Sequence, residues 1–158
     1  GIGKISDVIF HVKKPKTPGY TVEVEQIAST SEIETNVTEN KVDIAALMAM
    51  GDVVSGEKIF KKCAACHSIV KDGKNKIGPA LYNVVGRKVG GVGDYKYSKA
   101  LASYEKSWTF EELNGFLIKP ASYIKGTKMA FAGLRKEKDR ASVILYINSK
   151  SSSPLPTP

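Results

Sequence analysis

The sequence has few of the residues that build disulfide frameworks and metal clusters, and it has no long apolar segment. Its 158 residues include two cysteines and two histidines, which excludes a disulfide scaffold and a protein with several zinc sites. No apolar run approaches the roughly 20 residues that a membrane-spanning helix needs. Apolar residues make up 42% and charged residues 25% of the chain, the balance of an ordinary folded protein. Collagenous and low-complexity proteins are therefore excluded.

Positive charge is concentrated in the second part of the chain. Residues 1–51 hold five Lys/Arg and seven Asp/Glu, a net charge of −2, whereas residues 52–148 hold eighteen and nine, a net of +9. Such a basic surface fits nucleic acid, an anionic membrane or an acidic protein partner. The chain contains no Arg-rich run, zinc finger or RNA-binding signature. We therefore expect no nucleic-acid binding.

Composition divides the chain into three segments. Residues 1–51 are acidic, with no continuous apolar face, and we interpret them as a largely irregular linker or tether with local structure. Residues 52–150 show helical periodicity and form the predicted domain, whose first helix can be capped by Asp52 or Ser55. Residues 151–158, SSSPLPTP, are predicted to be a disordered tail.

Helix signals continue through the predicted domain. Thr109 followed by Glu112 is a capping box that opens a helix, and Pro120 ends it. A final helix is expected from about Glu137 to Asn148. No segment of the domain alternates as a strand would, so the predicted fold class is all-α with long connecting loops.

The most specific motif is Cys63-Ala64-Ala65-Cys66-His67, the attachment sequence of a c-type haem. Residues three apart on a helix project from one side, so both thiols can reach one edge of a porphyrin while the histidine is directed at the iron. A redox-active Cys pair would need a βαβ context, and a zinc site would need two further ligands. We therefore predict one haem c, covalently bound through both cysteines.

The iron also needs a sixth ligand or an open site. The residues alone leave His11, Met48, Met50 and Met129 as candidates. Met129 lies in a glycine-bounded loop, where a methionine fills a gap in the core as readily as it binds a metal.

From Gly56 to about Ile147, the chain resembles class I cytochrome c of the mitochondrial and α-proteobacterial type. Its pieces stand in the family order: CAACH, GPAL, GRKVG, YKYSKA, Trp108, YIKGTKMAFAGL and DRASVILYI. The resemblance implies short helices wrapped around one covalent haem. The long acidic front section is similar to the spacer of the membrane-anchored bacterial relatives, so we expect an anchor upstream of Gly1.

The resemblance also implies roles for single residues. His67 and Met129 would be the iron ligands, and the Pro79 carbonyl would accept the hydrogen of the His67 ring. Phe131 would close the exposed haem edge. The residues that would hydrogen-bond the haem propionates are Arg87, Tyr97, Trp108 and Thr127.

Two positions depart from the family pattern. Phe116 stands where the family usually has a tyrosine that hydrogen-bonds near the methionine ligand. We therefore expect that hydrogen bond to be missing and the surroundings of the sulfur to be less hydrated. Lys125 replaces the proline usual in the methionine loop, which leaves that backbone freer.

The implied function is electron transfer rather than enzymatic catalysis. The family carries electrons from ubiquinol–cytochrome c reductase to haem-copper cytochrome c oxidase, docking through a lysine-rich haem edge, here Lys61, Lys62, Lys76, Lys125 and Lys128. We expect a monomer on the periplasmic side of the bacterial inner membrane, acting in a respiratory chain. The alternatives are an electron donor to another periplasmic reductase and, less favoured, a haem peroxidase or gas sensor with an open iron site.

Overall fold

The computed structural model describes residues 42–158, which belong to one compact unit. Within residues 42–158 the pairing of extended backbone is limited to one isolated bridge, between Lys88 and Ser107. The all-α prediction is therefore confirmed. No helix in this part of the chain is long and apolar enough to cross a membrane. The helices are α1 (Ile44–Ala49), α2 (Val53–Ala64), α3 (Lys99–Ala102), α4 (Phe110–Ile118), α5 (Pro120–Tyr123) and α6 (Glu137–Ser149).

The contact between α2 and α6 forms the centre of the fold. Asp52 is the N-cap of α2, and its carboxylate accepts hydrogen bonds from the amides of Val54 and Ser55, which would otherwise lack partners. On the buried face of α2, the Phe60 ring packs against Tyr146 of α6, with ring centroids 5.4 Å apart. Burial of both rings stabilises the helix pair.

The end of α4 shows why two helices follow each other so closely. Thr109 caps α4 by accepting the amide hydrogen of Glu112 at 3.2 Å, as predicted. Lys119 then adopts an extended conformation, with ψ of 90°, because a following proline disfavours helical geometry. Pro120 itself starts α5 at its first position, where no amide hydrogen is needed.

The folded unit starts earlier than the predicted boundary between residues 51 and 52. Helix α1 packs on α6, and it buries Leu47 and Met48 to 2% and 1% exposure. At Gly51 a Cβ would lie 2.8 Å from the backbone of Ala141. Helix α1 is thus part of the folded unit, because its Leu47 and Met48 side chains belong to the core. The rest of the predicted tether, residues 1–41, lies outside the described residues, as does His11.

The C-terminal tail is also part of the fold, so the prediction of a disordered tail is corrected. The Asn148 side chain makes two hydrogen bonds to the Leu155 backbone. Its Oδ1 accepts from the Leu155 amide at 3.0 Å, and its Nδ2 donates to the Leu155 carbonyl at 2.8 Å. The Asn83 side chain accepts the Ser152 amide at 2.8 Å. Leu155 covers Gly86. The side chains of the two asparagines satisfy backbone groups that a free tail would expose to water.

Candidate functional site

A cavity of about 430 Å³ lies between α2, α4, α6 and the loops. Its walls are mostly apolar, with Phe60 from α2, Leu113 from α4 and Val143 from α6. Apolar walls with a few polar groups are typical of a cofactor site. The structure brings nearly all of the predicted site residues to this cavity: Cys63, Cys66, His67, Pro79, Arg87, Tyr97, Trp108, Met129 and Phe131.

The two cysteines lie at the end of α2, one helical turn apart. The amides of Cys66 and His67 both donate to the Cys63 carbonyl, at 3.0 and 2.9 Å, so the helical turn continues into the motif. Both side chains are partly buried. Burial raises the pKa of Cys63 to about 11. A redox-active cysteine has a lowered pKa instead, so the burial of Cys63 disfavours a redox pair.

His67 is oriented by the loop that follows the motif. Its Nδ1 lies 2.7 Å from the Pro79 carbonyl oxygen, and because a carbonyl can only accept, Nδ1 carries the hydrogen. This leaves Nε2 as the free ligand atom. At Gly78 a Cβ would lie 2.2 Å from Cε1 of the imidazole, so only glycine allows this approach. Burial lowers the pKa of His67, although the Pro79 contact opposes it, and favours the neutral form that binds metals.

Met129 reaches the cavity from the loop after α5. Its amide donates to the Thr127 hydroxyl oxygen at 3.2 Å. Thr127 does not line the cavity, so its observed contact is with the Met129 backbone rather than with the cavity contents. The other two methionines lie elsewhere, since Met48 is buried in α1 and Met50 is 45% exposed.

Arg87 carries a polar atom that lacks a partner. Its Nη atoms donate to the carbonyls of Tyr82 and Ala80, at 3.1 and 2.9 Å. Its Nε is buried and has no hydrogen-bond partner among residues 42–158. Burial lowers the pKa of this guanidinium. A buried N–H donor of a cation is costly unless an acceptor reaches it. A carboxylate on a group bound in the cavity would satisfy it.

Sequence reasoning missed Tyr95 as a lining residue. Its hydroxyl donates to the Ile77 carbonyl at 2.7 Å, and its ring packs edge-on against Tyr97, with centroids 4.8 Å apart. The signal was present, because Tyr95 and Tyr97 are two residues apart in YKYSKA and so can share one side of an extended segment.

Comparison with known proteins identifies the chain. The family model for cytochrome c matches residues 53–151. The chain belongs to the cytochrome c family. It therefore binds a covalent haem c, and Cys63 and Cys66 supply the thiols at the required spacing, followed by His67. The apolar cavity, the unpartnered Arg87 Nε and the two free thiols all fit such a group. Members of the family are electron-transfer proteins rather than enzymes.

Relatives fall into two kinds by the length that they match. A "Cytochrome c homolog" of Rickettsia bellii is 42% identical over 149 residues, covering 94% of this chain and 84% of the relative. A "Cytochrome c" of Gibberella zeae is 47% identical over 105 residues, which are 66% of this chain and 99% of the relative. The solved structure of cytochrome cH from Methylobacterium extorquens is 39% identical, with a TM-score of 0.60, and covers 63% of this chain and all of its own. The first match extends into residues 1–51.

Proposed function

We propose that this haem-based electron carrier has its iron held by His67 and Met129, and that it passes electrons from ubiquinol–cytochrome c reductase to a haem-copper cytochrome c oxidase. The observation that carries the proposal is the placement of both side chains on the cavity that holds Cys63 and Cys66. The His67 ring is oriented by the Pro79 carbonyl, and the Met129 backbone amide donates to the Thr127 hydroxyl.

The residues around the cavity explain why the protein carries electrons and does not catalyse chemistry at a metal. The haem supplies reversible one-electron exchange when bound. His67 and Met129 together leave no open position for substrate, which disfavours a peroxidase or a gas sensor. A thioether ligand and an apolar pocket both favour the reduced state and raise the potential. The walls that exclude water include Trp108 and Phe116, whose rings pack 4.9 Å apart.

A lysine-rich edge supports docking to an acidic partner. We call Lys61, Lys62, Lys76, Lys125 and Lys128 the lysine edge. Lys62 and Lys128 line the cavity, so their charges lie beside the site of electron exchange. Lys76 is less free, because its ammonium donates to the Ala64 carbonyl at 2.8 Å. Charges grouped in this way steer encounter with an acidic surface.

We propose that the carrier acts as a monomer.

The proposal includes a location on the periplasmic side of the bacterial inner membrane, with an N-terminal anchor. The front segment, which the proposal makes the linker to the anchor, is shared with one relative: the match to the Rickettsia protein extends into residues 1–51, whereas the Gibberella and Methylobacterium matches cover only about two thirds of this chain. Fractionation of native cells tests the location. Recovery of the haem protein among freely dissolved periplasmic proteins would contradict the anchor.

Spectroscopy of two methionine variants tests the ligand set. Met129→Ala should abolish the weak charge-transfer band at the red edge of the oxidised spectrum and should confer peroxidase activity as the sixth position opens. Met50→Ala is the matched control, because Met50 is exposed and away from the cavity, and it should change neither property. A band that persists in Met129→Ala would remove Met129 from the iron.

The electron acceptor is tested separately with the reduced holoprotein. Mixed with a purified haem-copper oxidase, it should be oxidised in a stopped-flow experiment at a rate that rises with oxidase concentration. A protein with the intact spectrum that is not oxidised would contradict the proposed acceptor while leaving the ligands in place.

A further inference from the structure

Three side chains converge on one buried carboxylate outside the cavity. Glu112 of α4 is only 9% exposed. One carboxylate oxygen, Oε1, pairs with the Lys106 ammonium. The other, Oε2, accepts hydrogen bonds from the hydroxyls of Tyr104 at 2.8 Å and Tyr123 at 3.1 Å. Burial opposes ionisation of Glu112, but these three donors outweigh it and hold its pKa below the usual range. The cluster therefore ties two separate pieces of chain, residues 104–106 and the end of α5, to one anionic group on α4.

Tyr123 is the member of the cluster that leads toward the cavity. It is the last residue of α5, and its ring lies directly on Gly115 of α4, where a Cβ would come within 2.4 Å of the ring. The Phe116 ring, which lines the cavity, is 6.5 Å from the Tyr123 ring. Ring and hydroxyl together therefore fix the end of α5 against α4.

The chain between Tyr123 and Met129 is anchored in the core by Ile124, which is 4% exposed, but it makes few hydrogen bonds to the rest of the fold. Its hydrogen bonds are local: the Thr127 amide donates to the Ile124 carbonyl, and the Met129 amide donates to Thr127. Within residues 42–158, the Tyr123–Glu112 contact is the last hydrogen bond from this segment to another helix before Met129 is reached.

We propose that Glu112 is a positioning residue for Met129, acting through the hydroxyl of Tyr123. This inference rests on the proposed ligation of the iron by Met129. The buried carboxylate fixes the start of the methionine loop and thereby limits how often the loop swings away and leaves the sixth position open. Tyr104 uses the same carboxylate oxygen, but it lies in the segment before α4 and leads to no ligand.

The matched variants are Tyr123→Phe and Tyr104→Phe in the oxidised holoprotein. Each removes one hydroxyl from Oε2 of Glu112 and keeps the ring. The measurement is the rate at which added imidazole displaces the native ligand, followed optically, because imidazole can enter only when the loop opens. A hydrogen bond to a charged group is strong enough to change an opening equilibrium by about tenfold. We expect Tyr123→Phe to accelerate displacement about tenfold and Tyr104→Phe by less than about twofold.

Guanidinium unfolding of the same proteins distinguishes a local effect on the position of Met129 from a general loss of stability of the fold. The two variants should lose similar global stability, since they lose similar hydrogen bonds, while their imidazole rates differ. Equal acceleration in both variants would overturn the proposal.

Two further variants test whether Glu112 acts through Tyr123. Glu112→Ala should match Tyr123→Phe in the rate at which imidazole binds, because both remove the hydrogen bond between Tyr123 and Glu112. For the same reason, the double variant should be no faster than either single variant. Accelerations that multiply in the double variant would overturn the proposed route. Met129→Ala provides the reference for the ligand itself. If it binds imidazole no faster than the unmodified protein, the assignment of Met129 is wrong, a result distinct from equal rates in the two tyrosine variants.

Discussion

Gly56 of α2 lies so close to Ser142 of α6 that a Cβ on residue 56 would stand 2.0 Å from the Ser142 carbonyl oxygen. It would also stand 2.7 Å from Cβ of Tyr146. The close approach brings the cysteine-bearing helix α2 onto the helix whose Val143 and Ile147 form a wall of the cavity. The distance between the two helix backbones is therefore set by the absence of a side chain at residue 56.

Gly56→Ala should strongly destabilise the protein. The added methyl group meets backbone atoms that cannot rotate away, so the helices must separate, at a cost of about 3 kcal/mol, the upper end of the usual range for overpacking. Guanidinium unfolding of the holoprotein measures the loss. Gly93→Ala is the control, since a Cβ there has no atom within 4 Å. A tolerated Gly56→Ala would mean that the helices can move apart without cost.

Met48→Ala should reveal the contribution of α1 to the core. Met48 is 1% exposed, and loss of a buried methionine side chain costs about 2–5 kcal/mol. Met50 directly follows α1 and is 45% exposed. Met50→Ala should therefore change the free energy of unfolding by less than about 0.5 kcal/mol. Thermal and guanidinium unfolding would show the difference. Equal, small effects would mean that α1 is dispensable.

The Glu112 cluster gives stability a defined pH dependence. Because the folded pKa lies below the unfolded value, the carboxylate stabilises the fold fully above about pH 4.5 and loses its effect as pH falls through the folded pKa. Glu112→Gln should therefore be less stable than the unmodified protein by about 1–3 kcal/mol at pH 7, and the gap should narrow in acid. Glu111→Gln removes the same charge from an exposed neighbour and should have a small effect at every pH. A gap that is constant between pH 7 and pH 3 would contradict the ionised cluster.

Charge reversal should distinguish the lysine edge from a generally basic surface. Lys128→Glu changes a lysine that lines the cavity, and Lys138→Glu makes the same change in an exposed lysine near Asp52. Lys150, another lysine far from the motif in sequence, is not used as the control. Its ammonium lies 5.0 Å from the centre of the Tyr146 ring, so reversing its charge would also remove that contact. At low salt, Lys128→Glu should slow electron transfer to a haem-copper oxidase far more than Lys138→Glu does.

Salt provides the second half of that experiment. The Debye length falls from about 30 Å at 0.01 M to about 8 Å at 0.15 M, so the two variants should converge as salt is added. Equal rates at every ionic strength would show that only net charge matters and that the docking surface lies elsewhere.

Local sequence patterns predicted α2, α4, α6 and the haem attachment because all of them depend on nearby residues. The spacing of Cys63 and Cys66 on one helical turn, with His67 next, already required a common site. The capping box shows the limit of such reasoning. Thr109 caps the helix as predicted, but the Glu112 side chain turns to Lys106 and two tyrosines instead of back to the cap. Side-chain donors from other parts of the fold therefore take the place of the backbone amide at the cap as partners of Glu112.

The two segments that the sequence misassigned are held by distant partners. Helix α1 has six residues, too few for a periodicity to show which side is buried, and its partner α6 lies at the other end of the chain. The tail contains serines and prolines that favour disorder, yet Asn83, 69 positions away, accepts the Ser152 amide. Nothing local to either segment predicts these contacts.

The crossing of α2 and α6 also fixes the order in which the domain can be completed. The Asp52 amide at the start of α2 donates to the Ser142 hydroxyl across 90 positions of sequence, so the helix pair forms only after nearly the whole chain has been synthesised. Until then α2 lacks its covering helix, so the attachment sequence that begins at Cys63 is made before the contact between α2 and α6 can form. The topology thus gives a newly made chain an interval in which the haem-attachment sequence is present while the wall that α6 contributes to the cavity is still missing.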